Sequence, residues 1–293
     1  LNQLRREALE QLLKQRGQAP IIPFHPVSFP ANTSRQITEP LPLRAVFTRL
    51  HSADDIPDCV NVCQMIYIPI NTKEHIVKEL QNRGLSLAVT MPRGMFGTER
   101  IITSKLEQFL KWDISHVWAG TVNSVALAKT MGCNIHGGYS LNVTNTAAFE
   151  WYEQLGLTDL ELSYELTLKQ SAKIGGSLPR GLLLYGRLPL MLCRNCPGKN
   201  DGKNCKNCNG TTWLTDRKNI KFPVQCDYGC SEVLNAVPLT MSDRISDISG
   251  MNFGILRFTV ENSVEIEETF QQFLYQKVTL GHYTRGLYEK GIK

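Results

Sequence analysis

The chain has 293 residues, of which 42% are hydrophobic and 20% are charged, and its formal net charge is +5. This composition excludes a disordered or fibrous protein, and the length suffices for one large α/β domain or two small ones. No apolar run approaches the roughly 20 residues that span a bilayer, so we expect no membrane contact. The chain begins at Leu1 inside a predicted helix, and we therefore expect a piece of a longer protein.

The first predicted elements are a helix and a connector. Residues 1–17 carry apolar side chains at helical spacing and end at Gly17, which predicts an N-terminal helix. Residues 18–43 contain six prolines, each of which fixes φ and lacks an N–H group. We therefore predict an extended connector that joins the helix to a domain spanning 44–293.

From residue 44 onward, short apolar or β-branched runs alternate with helical patterns. The predicted strands are 44–50, 65–70, 85–91, 114–120, 134–138, 159–163, 181–186 and 253–260. The helical patterns lie near 53–62, 72–83, 99–112, 122–132, 145–155, 167–175 and 262–276. Strands that alternate with helices pair in parallel through right-handed crossovers. Eight such strands match a TIM-like (β/α)8 barrel, and no G-x-G-x-x-G motif follows the first strand to favour the alternative, a doubly wound sheet.

A cysteine-rich insertion, residues 187–240, lies between predicted strands seven and eight. Cys193/Cys196 and Cys205/Cys208 each have C-x2-C spacing followed closely by glycine, and two such turns can complete a tetrahedral sulfur site. We predict a structural zinc ion, with an iron–sulfur cluster as the alternative because it also uses four cysteines. Disulfides are disfavoured because no signal peptide is visible, so the predicted compartment is the cytoplasm.

The insertion is also basic. Between Arg187 and Lys221 it holds eight Lys and Arg residues against two Asp residues. These cations can attract phosphate, or they can offset the charge of the metal-bound thiolates. The second interpretation is favoured, because no aromatic residues alternate with the cations to stack on nucleic-acid bases.

The loops after the strands of a barrel form its working face, and polar residues near those strand ends are site candidates. They are His136, Asn142, Glu165, Arg187 and Glu261. Each has a structural alternative: His136 can hydrogen-bond inside the barrel mouth, Glu165 can cap the next helix, and Arg187 can pair with Glu165. No standard catalytic signature is visible, so the sequence names no catalytic residue.

Several segments together resemble the collagenase-like peptidase family U32. They are GGYSLNVTNTAAFEWYEQLGLTDLELSYELTL, LLLYGRLPLMLCRNCP, LTDRKNIKFPV, SEVLNAVPL and the closing GHYTRGLY. The opening LNQLRREALEQL resembles the helix that begins the C-terminal, barrel-like half of the long members. The resemblance therefore covers nearly the whole chain.

The resemblance implies the C-terminal domain of a U32 peptidase, accessory or substrate-binding rather than independently catalytic. Other members of this family take part in hydroxylating bases of ribosomal or transfer RNA, which is the alternative function. The implied partners are the N-terminal half of the same protein and a peptide or RNA substrate. The implied metal ligands are Cys196, Cys205, Cys208 and Cys226, with Cys193 as the alternative ligand. The pocket candidates are then Arg187, Asp216, Arg217 and Asn235, together with Glu165 and Asn142 from the strand ends.

Overall fold

A computed structural model describes residues 2–19, 22–26, 40–201, 210–278 and 281–291. The N-terminal helix α1 (Asn2–Arg16) buries none of its side chains. Its Leu4 and Leu13 are among the most exposed large apolar residues of the described chain. Within the described ranges, no helix combines the length and the apolar character that crossing a bilayer requires.

Eight parallel strands close into a barrel, which confirms the predicted fold class. They are β1 (Leu43–Phe47), β2 (Met65–Pro69), β3 (Leu87–Thr90), β4 (His116–Ala119), β5 (Asn134–Gly137), β6 (Asp159–Glu161), β7 (Arg180–Gly186) and, after the insertion, β13 (Phe253–Phe258). The last strand pairs with both β7 and β1, and β6 pairs with β7, so the ring has no open edge. Each strand is short and buried, as expected where helices cover the outside of a parallel barrel.

Helices follow most of the barrel strands. They are α2 (Glu74–Asn82), α3 (Glu99–Lys111), α4 (Val122–Thr130), α5 (Thr146–Gln154), α6 (Leu168–Ser171) and α7 (Ser263–Leu274). Four of them start at side-chain N-caps, which are Thr121 for α4, Asn145 for α5, Thr167 for α6 and Asn262 for α7. Such caps bond N–H groups of the first turn that have no partner inside the helix.

Two helix predictions need correction. Residues 53–62 form two short 3-10 helices, because Pro57 lacks an N–H group and holds the preceding Ile56 in an extended conformation. The helix predicted near 167–175 is only one turn long, and Gly176, with φ of 96°, follows it in the left-handed region. The outer layer of the barrel is therefore thinner at these two positions than the predicted pattern implied.

The insertion between β7 and β13 folds into a separate antiparallel sheet, which we call the cap. Its strands are β8 (Pro189–Cys193), β9 (Thr211–Thr215), β10 (Lys221–Asp227) and β11 (Cys230–Leu234), in the spatial order β8-β11-β10-β9. A further short strand, β12 (Leu239–Thr240), pairs antiparallel with the end of β7. The cap therefore leaves and rejoins the barrel at one point, at the carboxyl end of the seventh barrel strand.

Buried charges occupy the amino-terminal half of the barrel interior. Arg44 Nη1 donates to Asp159 Oδ2 over 2.8 Å, and His136 Nδ1 lies 2.8 Å from the same oxygen. His116 Nδ1 lies 2.9 Å from His136 Nε2. Burial disfavours the charged Asp159, but its hydrogen bond to His136 and the charges of His136 and Arg44 outweigh burial and lower its pKa. His136 thus hydrogen-bonds inside the barrel, but below the mouth in which its structural alternative placed it.

Candidate functional site at the barrel mouth

One face of the cap is turned towards the carboxyl ends of the barrel strands. The register of the cap sheet aligns four side chains, one from each strand, in a row across this face, and they are Thr211, Gln225, Glu232 and Leu192. Because side chains alternate between the faces of a strand, Asp227 and Cys230 lie on the same face, one step further along. The mouth-facing side of the cap is therefore rich in polar groups.

Hydrogen bonds from this row hold the cap on the barrel. Gln225 Oε1 accepts from Thr48 Oγ1 over 3.0 Å, and its Nε2 donates to the Thr259 carbonyl over 2.6 Å. Arg49, next to Thr48, donates to Thr211 Oγ1. The buried Gln225 therefore bonds the loops after the first and the eighth barrel strands at once.

An ion pair completes the attachment on the other side. Arg93, in the loop after β3, pairs with the Glu232 carboxylate, and both side chains are about three-quarters buried. The Arg93 guanidinium also lies 5.4 Å from the centre of the Tyr139 ring. Such a pair is shielded from solvent more than a surface pair is, so it contributes to holding the cap in place.

A chamber of about 130 Å³ remains between the cap and the barrel. Arg257 forms its floor, with its guanidinium 4.1 Å from the Tyr139 ring centre and its Nη2 atom 3.5 Å from Glu161 Oε1. The other oxygen, Glu161 Oε2, accepts from Trp118 Nε1 over 3.1 Å and from the Tyr139 N–H over 2.7 Å. Within the described residues, neither Arg257 Nη2 nor Glu161 Oε1 has a hydrogen-bond partner, although both are buried. Arg257 thus lines the chamber, and its charge is paired with the Glu161 carboxylate, which is outside the lining.

The Asp227 carboxyl lies at the edge of this chamber. Its side chain is reached by water, but the concave surroundings remove much of the bulk solvent from the carboxyl. This desolvation and the nearby Glu232 carboxylate raise the pKa of Asp227 to about 6, against the opposing charge of Arg49. Asp227 therefore changes charge near neutral pH, which an ordinary aspartate does not.

A second space, which we call the outer cleft, adjoins the chamber and has a volume of about 430 Å³. It lies between the cap strand β9 and the loops after β1 and β13. Its inner surface is apolar, with Phe47, Phe258 and Ile266 all buried in the barrel. Trp213 from the cap forms one wall, and Arg49 lines both the cleft and the chamber.

Two of the predicted metal ligands lie on the opposite face of the cap. Cys226 neighbours Gln225 along β10, so its side chain is directed away from the mouth. Its Sγ atom is 3.5 Å from Cys196 Sγ. Two sulfurs on one tetrahedral zinc ion lie about 3.8 Å apart, from a Zn–S distance of about 2.3 Å. These two predicted ligands are therefore close to the spacing that one ion would require.

The structure gives less information on the remaining predicted ligands. Cys205 and Cys208 lie outside the described residues, and within the described ranges no three His, Cys, Asp or Glu side chains are grouped to hold a metal. Cys193 is in one row with Ser231 and Cys226, two strands from the latter. At about 4.8 Å per strand its backbone is about 10 Å from that of Cys226, which makes Cys196 the nearer partner.

Arg187 and Asn235 build the neck between the barrel and the cap. The Arg187 guanidinium donates to the carbonyls of Asn235, over 3.2 Å, and Ala236. The Asn235 N–H donates to the Leu188 carbonyl over 2.8 Å. Arg187 Nε is 3.7 Å from Glu261 Oε1, so its ionic partner is Glu261, and the expected pairing with Glu165 is wrong.

Asn142 and Glu165 lie in the loops on the far side of the mouth. Asn142 is in the left-handed region, with φ of 52°, and its Oδ1 accepts from Ser163 Oγ over 2.6 Å. Glu165 does not cap α6, because Thr167 makes the capping box of that helix. Neither residue lines the chamber or the outer cleft. Their part in substrate binding stays a prediction.

Asp216 and Arg217 form the tip of the hairpin between β9 and β10. The Asp216 carboxylate accepts the N–H groups of Lys218, over 2.8 Å, and Ile220, over 2.9 Å, and so shapes the turn. Arg217 is exposed beside it. Both lie outside the linings of the chamber and the cleft, and their role in substrate binding also stays a prediction.

The sequence interpretation missed most residues that line the mouth. They are Arg49, Arg93, Asp227, Glu232 and Arg257. A signal was present for Arg257, which is a single charged residue inside the apolar run FGILRFTV. A charge in a strand that is buried on both faces needs a buried partner, and such a position marks the barrel interior.

Comparison with known proteins finds weak similarity to solved structures. No protein-family description and no curated protein matches this chain. The solved structure of the U32 peptidase Mk0906 is similar with a TM-score of 0.40 and 15% identity, over 56% of this chain and 74% of that one. Thiamine phosphate pyrophosphorylase from Pyrococcus furiosus is similar with a TM-score of 0.40 and 10% identity, over 80% of this chain and 95% of that one. The class that the fold defines is a TIM-like (β/α)8 barrel with a cap over its mouth.

Proposed function

We propose that this chain is a substrate-binding domain of a U32-like, collagenase-like peptidase and that it holds a peptide at the barrel mouth beneath the cap. One observation carries the proposal: the Arg257 guanidinium lines the chamber, and its buried Nη2 atom, 3.5 Å from Glu161 Oε1, makes no hydrogen bond within the described residues. The carbonyl of a peptide group supplies an acceptor for such a donor. The sequence segments that resemble the U32 family supply the family assignment.

The charges of the chamber favour a peptide over RNA. Three arginines, Arg49, Arg93 and Arg257, line the chamber. Glu232 pairs with Arg93, Glu161 pairs with Arg257 from outside the lining, and Asp227 adds a negative charge above pH 6. A phosphodiester backbone needs a net positive surface, because its affinity comes largely from the charges that it neutralises. A lining of near-zero net charge suits the neutral, dipolar backbone of a peptide better.

The positions of two residues from the U32-like segments support an accessory role. Arg187 and Asn235, from the GR-x-PL and LN-x-x-PL segments, bond each other at the neck of the cap. They therefore position the cap relative to the barrel rather than face the chamber. In this proposal the N-terminal half of the longer protein supplies the catalytic groups.

The proposal includes a structural zinc ion held by Cys196, Cys205, Cys208 and Cys226. The 3.5 Å between two of these sulfurs supports a single ion, because the cysteines of a four-iron cluster ligate different iron atoms and lie further apart. A closed four-sulfur site supplies folding energy and has no open coordination position. Its place on the outer face of the cap agrees with a role in folding the cap.

Binding of fluorescein-labelled gelatin peptides, measured by fluorescence anisotropy with a gel assay for cleavage, tests the function. We expect saturable binding without cleavage. Arg257→Lys keeps the charge but loses the planar fork, and should weaken binding at least about tenfold. Arg100→Lys, at an exposed position of α3 outside both linings, is the matched control and should bind as the parent does.

Two outcomes would overturn this function. Cleavage by the chain alone would contradict the accessory role. Absence of peptide binding, together with tight binding of an RNA oligonucleotide that weakens steeply with salt, would move the assignment to RNA base hydroxylation.

A further inference from the structure

An apolar groove lies on the outer side of the barrel and has a volume of about 830 Å³. Its described lining carries no charge and includes Leu43, Leu184, Ile248 and Phe273, together with Val62 and Leu274. Leu43 begins β1 and Leu274 ends α7, which places the groove at the amino-terminal end of the barrel. Val62 and Leu274 are 72% and 71% exposed, so the groove offers open apolar side chains to a partner.

The groove lies where the outer layer of the barrel lacks a helix. In a (β/α)8 barrel a helix follows each strand and covers it from outside. Among the described residues between β7 and β13, the chain forms strands and 3-10 helices but no α-helix. Leu184 of β7 is directed outward, since its neighbour Leu183 packs inside the barrel. The Leu184 side chain therefore lines the groove instead of packing under a helix that follows β7.

The N-terminal helix α1 is an apolar helix whose leucines pack against nothing in its own chain. Leu4, Ala8 and Leu12 are spaced four residues apart and so share one face of the helix. Leu4 is 70% exposed and Leu12 is 49% exposed, and α1 buries none of its side chains. A helix of this length is only marginally stable alone in water and draws most of its stability from packing of its apolar face. Covering the leucines would therefore stabilise α1.

The charges beside the two apolar surfaces are opposite in sign. The helix α1 carries four basic side chains and only two acidic ones. The helix α7, which forms one wall of the groove, carries three glutamates and no basic residue over its described length. Glu267 is exposed one turn before Phe270, on the side of α7 that faces the groove. A helix of net positive charge is therefore attracted to this wall, whereas an acidic helix would be repelled.

We propose that two copies of this chain exchange their N-terminal helices, so that α1 of each copy fills the apolar groove of the other. A single chain holds both surfaces, yet α1 buries none of its side chains, so the helix does not cover its own groove in this structure. Two copies related by a two-fold axis cover both grooves at once. An extended chain spans up to about 80 Å between Arg16 and Pro40, at the edge of the groove, which is enough to reach a neighbouring copy.

Sedimentation equilibrium of the whole chain over a range of concentrations tests the exchange, and we expect a dimer. Leu12→Glu in α1 and Leu274→Glu in the groove should each raise the dissociation constant of the dimer at least about tenfold, because each places a charge in an apolar contact. Gln3→Glu adds the same charge on the opposite face of α1, and Val264→Glu adds it at an exposed apolar position of α7 outside the groove. Both are matched controls and should dimerise as the parent does.

A photo-cross-linking amino acid at Leu12, in a mixture of unlabelled and isotope-labelled chains, identifies what covers the helix. We expect cross-links from α1 of one copy to residues 270–276 of the other, which mass spectrometry recognises by their mixed isotope content. A monomer at every concentration, or cross-links within single chains only, would overturn the exchange. A dimer that Leu12→Glu leaves intact would also overturn it. If Leu274→Glu unfolds, Leu12→Glu still decides, because α1 contributes no buried side chain to the fold. None of these outcomes bears on peptide binding, since groove and mouth lie at opposite ends of the barrel.

Discussion

The change Cys226→Ser tests the proposed zinc site most directly. A four-sulfur zinc site contributes about 10–16 kcal/mol to the fold that it holds. The polar contacts between cap and barrel include those of Gln225 with Thr48 and Thr259, and at about 0.5–1.5 kcal/mol each a few such bonds give about 2–6 kcal/mol. The metal therefore dominates, and its loss should unfold the cap while the barrel, which is closed by its own strand pairing, stays folded.

Elemental analysis and hydrogen exchange measure the two consequences. The parent chain should contain about one zinc ion, and Cys226→Ser should lose most of it, because a closed tetrahedral site requires four ligands. Amide protons of β9 and β10 should then exchange rapidly, while those of β2 and β4 stay protected. Cys63→Ser is the control, because burial raises the pKa of the Cys63 thiol to about 12 and so keeps it protonated and unsuited to bind a metal.

A third variant separates the two candidate ligand sets. Cys193→Ser should keep its zinc if Cys196 and Cys226 share the ion, and should lose it if Cys193 is the ligand instead. Full zinc content and unchanged exchange in Cys226→Ser would refute the reasoning. Iron and sulfide in place of zinc would refute the choice of metal.

Three further predictions concern the barrel and the mouth. Gly186→Ala should lower stability by about 2 kcal/mol more than Gly84→Ala does, as measured by urea unfolding. Both glycines have positive φ, but a Cβ at Gly186 would lie 2.7 Å from a backbone oxygen of β13, whereas at Gly84 it meets open space; equal losses would contradict this. Arg44→Met should cost about 3–5 kcal/mol, because it leaves the Asp159 carboxylate buried without that partner, and adding Asp159→Asn should recover part of the loss; an additive double variant would argue against the pair. The folded state raises the pKa of Asp227 to about 6, so unfolding releases its proton between pH 4 and 6. The free energy of unfolding should therefore fall as the pH rises through this window, and Asp227→Asn should remove that fall. An unchanged pH profile of stability would refute the assignment.

The barrel could be predicted from the sequence because each of its strands has a recognisable local pattern. Runs such as MIYIPI and GLLLYG are apolar on both faces, which is the pattern of a parallel strand buried under helices. Their observed counterparts, β2 and β7, differ from the predicted bounds by one residue at most. The short elements were harder, because Pro57 breaks a helical pattern that the apolar spacing alone would continue.

The cap and the mouth depended on long-range pairing that local patterns do not encode. Strand β8 carries three consecutive exposed residues and so lacks the alternation typical of a strand with one buried face. It pairs with β11, not with its neighbour in the chain, and this order brings Glu232 to face Arg93. The lining of the mouth follows from that register, so residues such as Asp227 could be recognised only after the sheet was known.

The neck of the cap has a consequence for how such a protein can change. Gly186 and Leu239 are paired on antiparallel strands, so the insertion begins and ends at one pair of neighbouring positions. A tight turn of a few residues would bridge these two positions if everything between them were deleted, and the eight-stranded ring would stay complete. A different insertion could join the barrel at the same two positions. The cap is thereby separable from the scaffold, and recombination at one site can exchange the whole cap without disturbing the barrel beneath it.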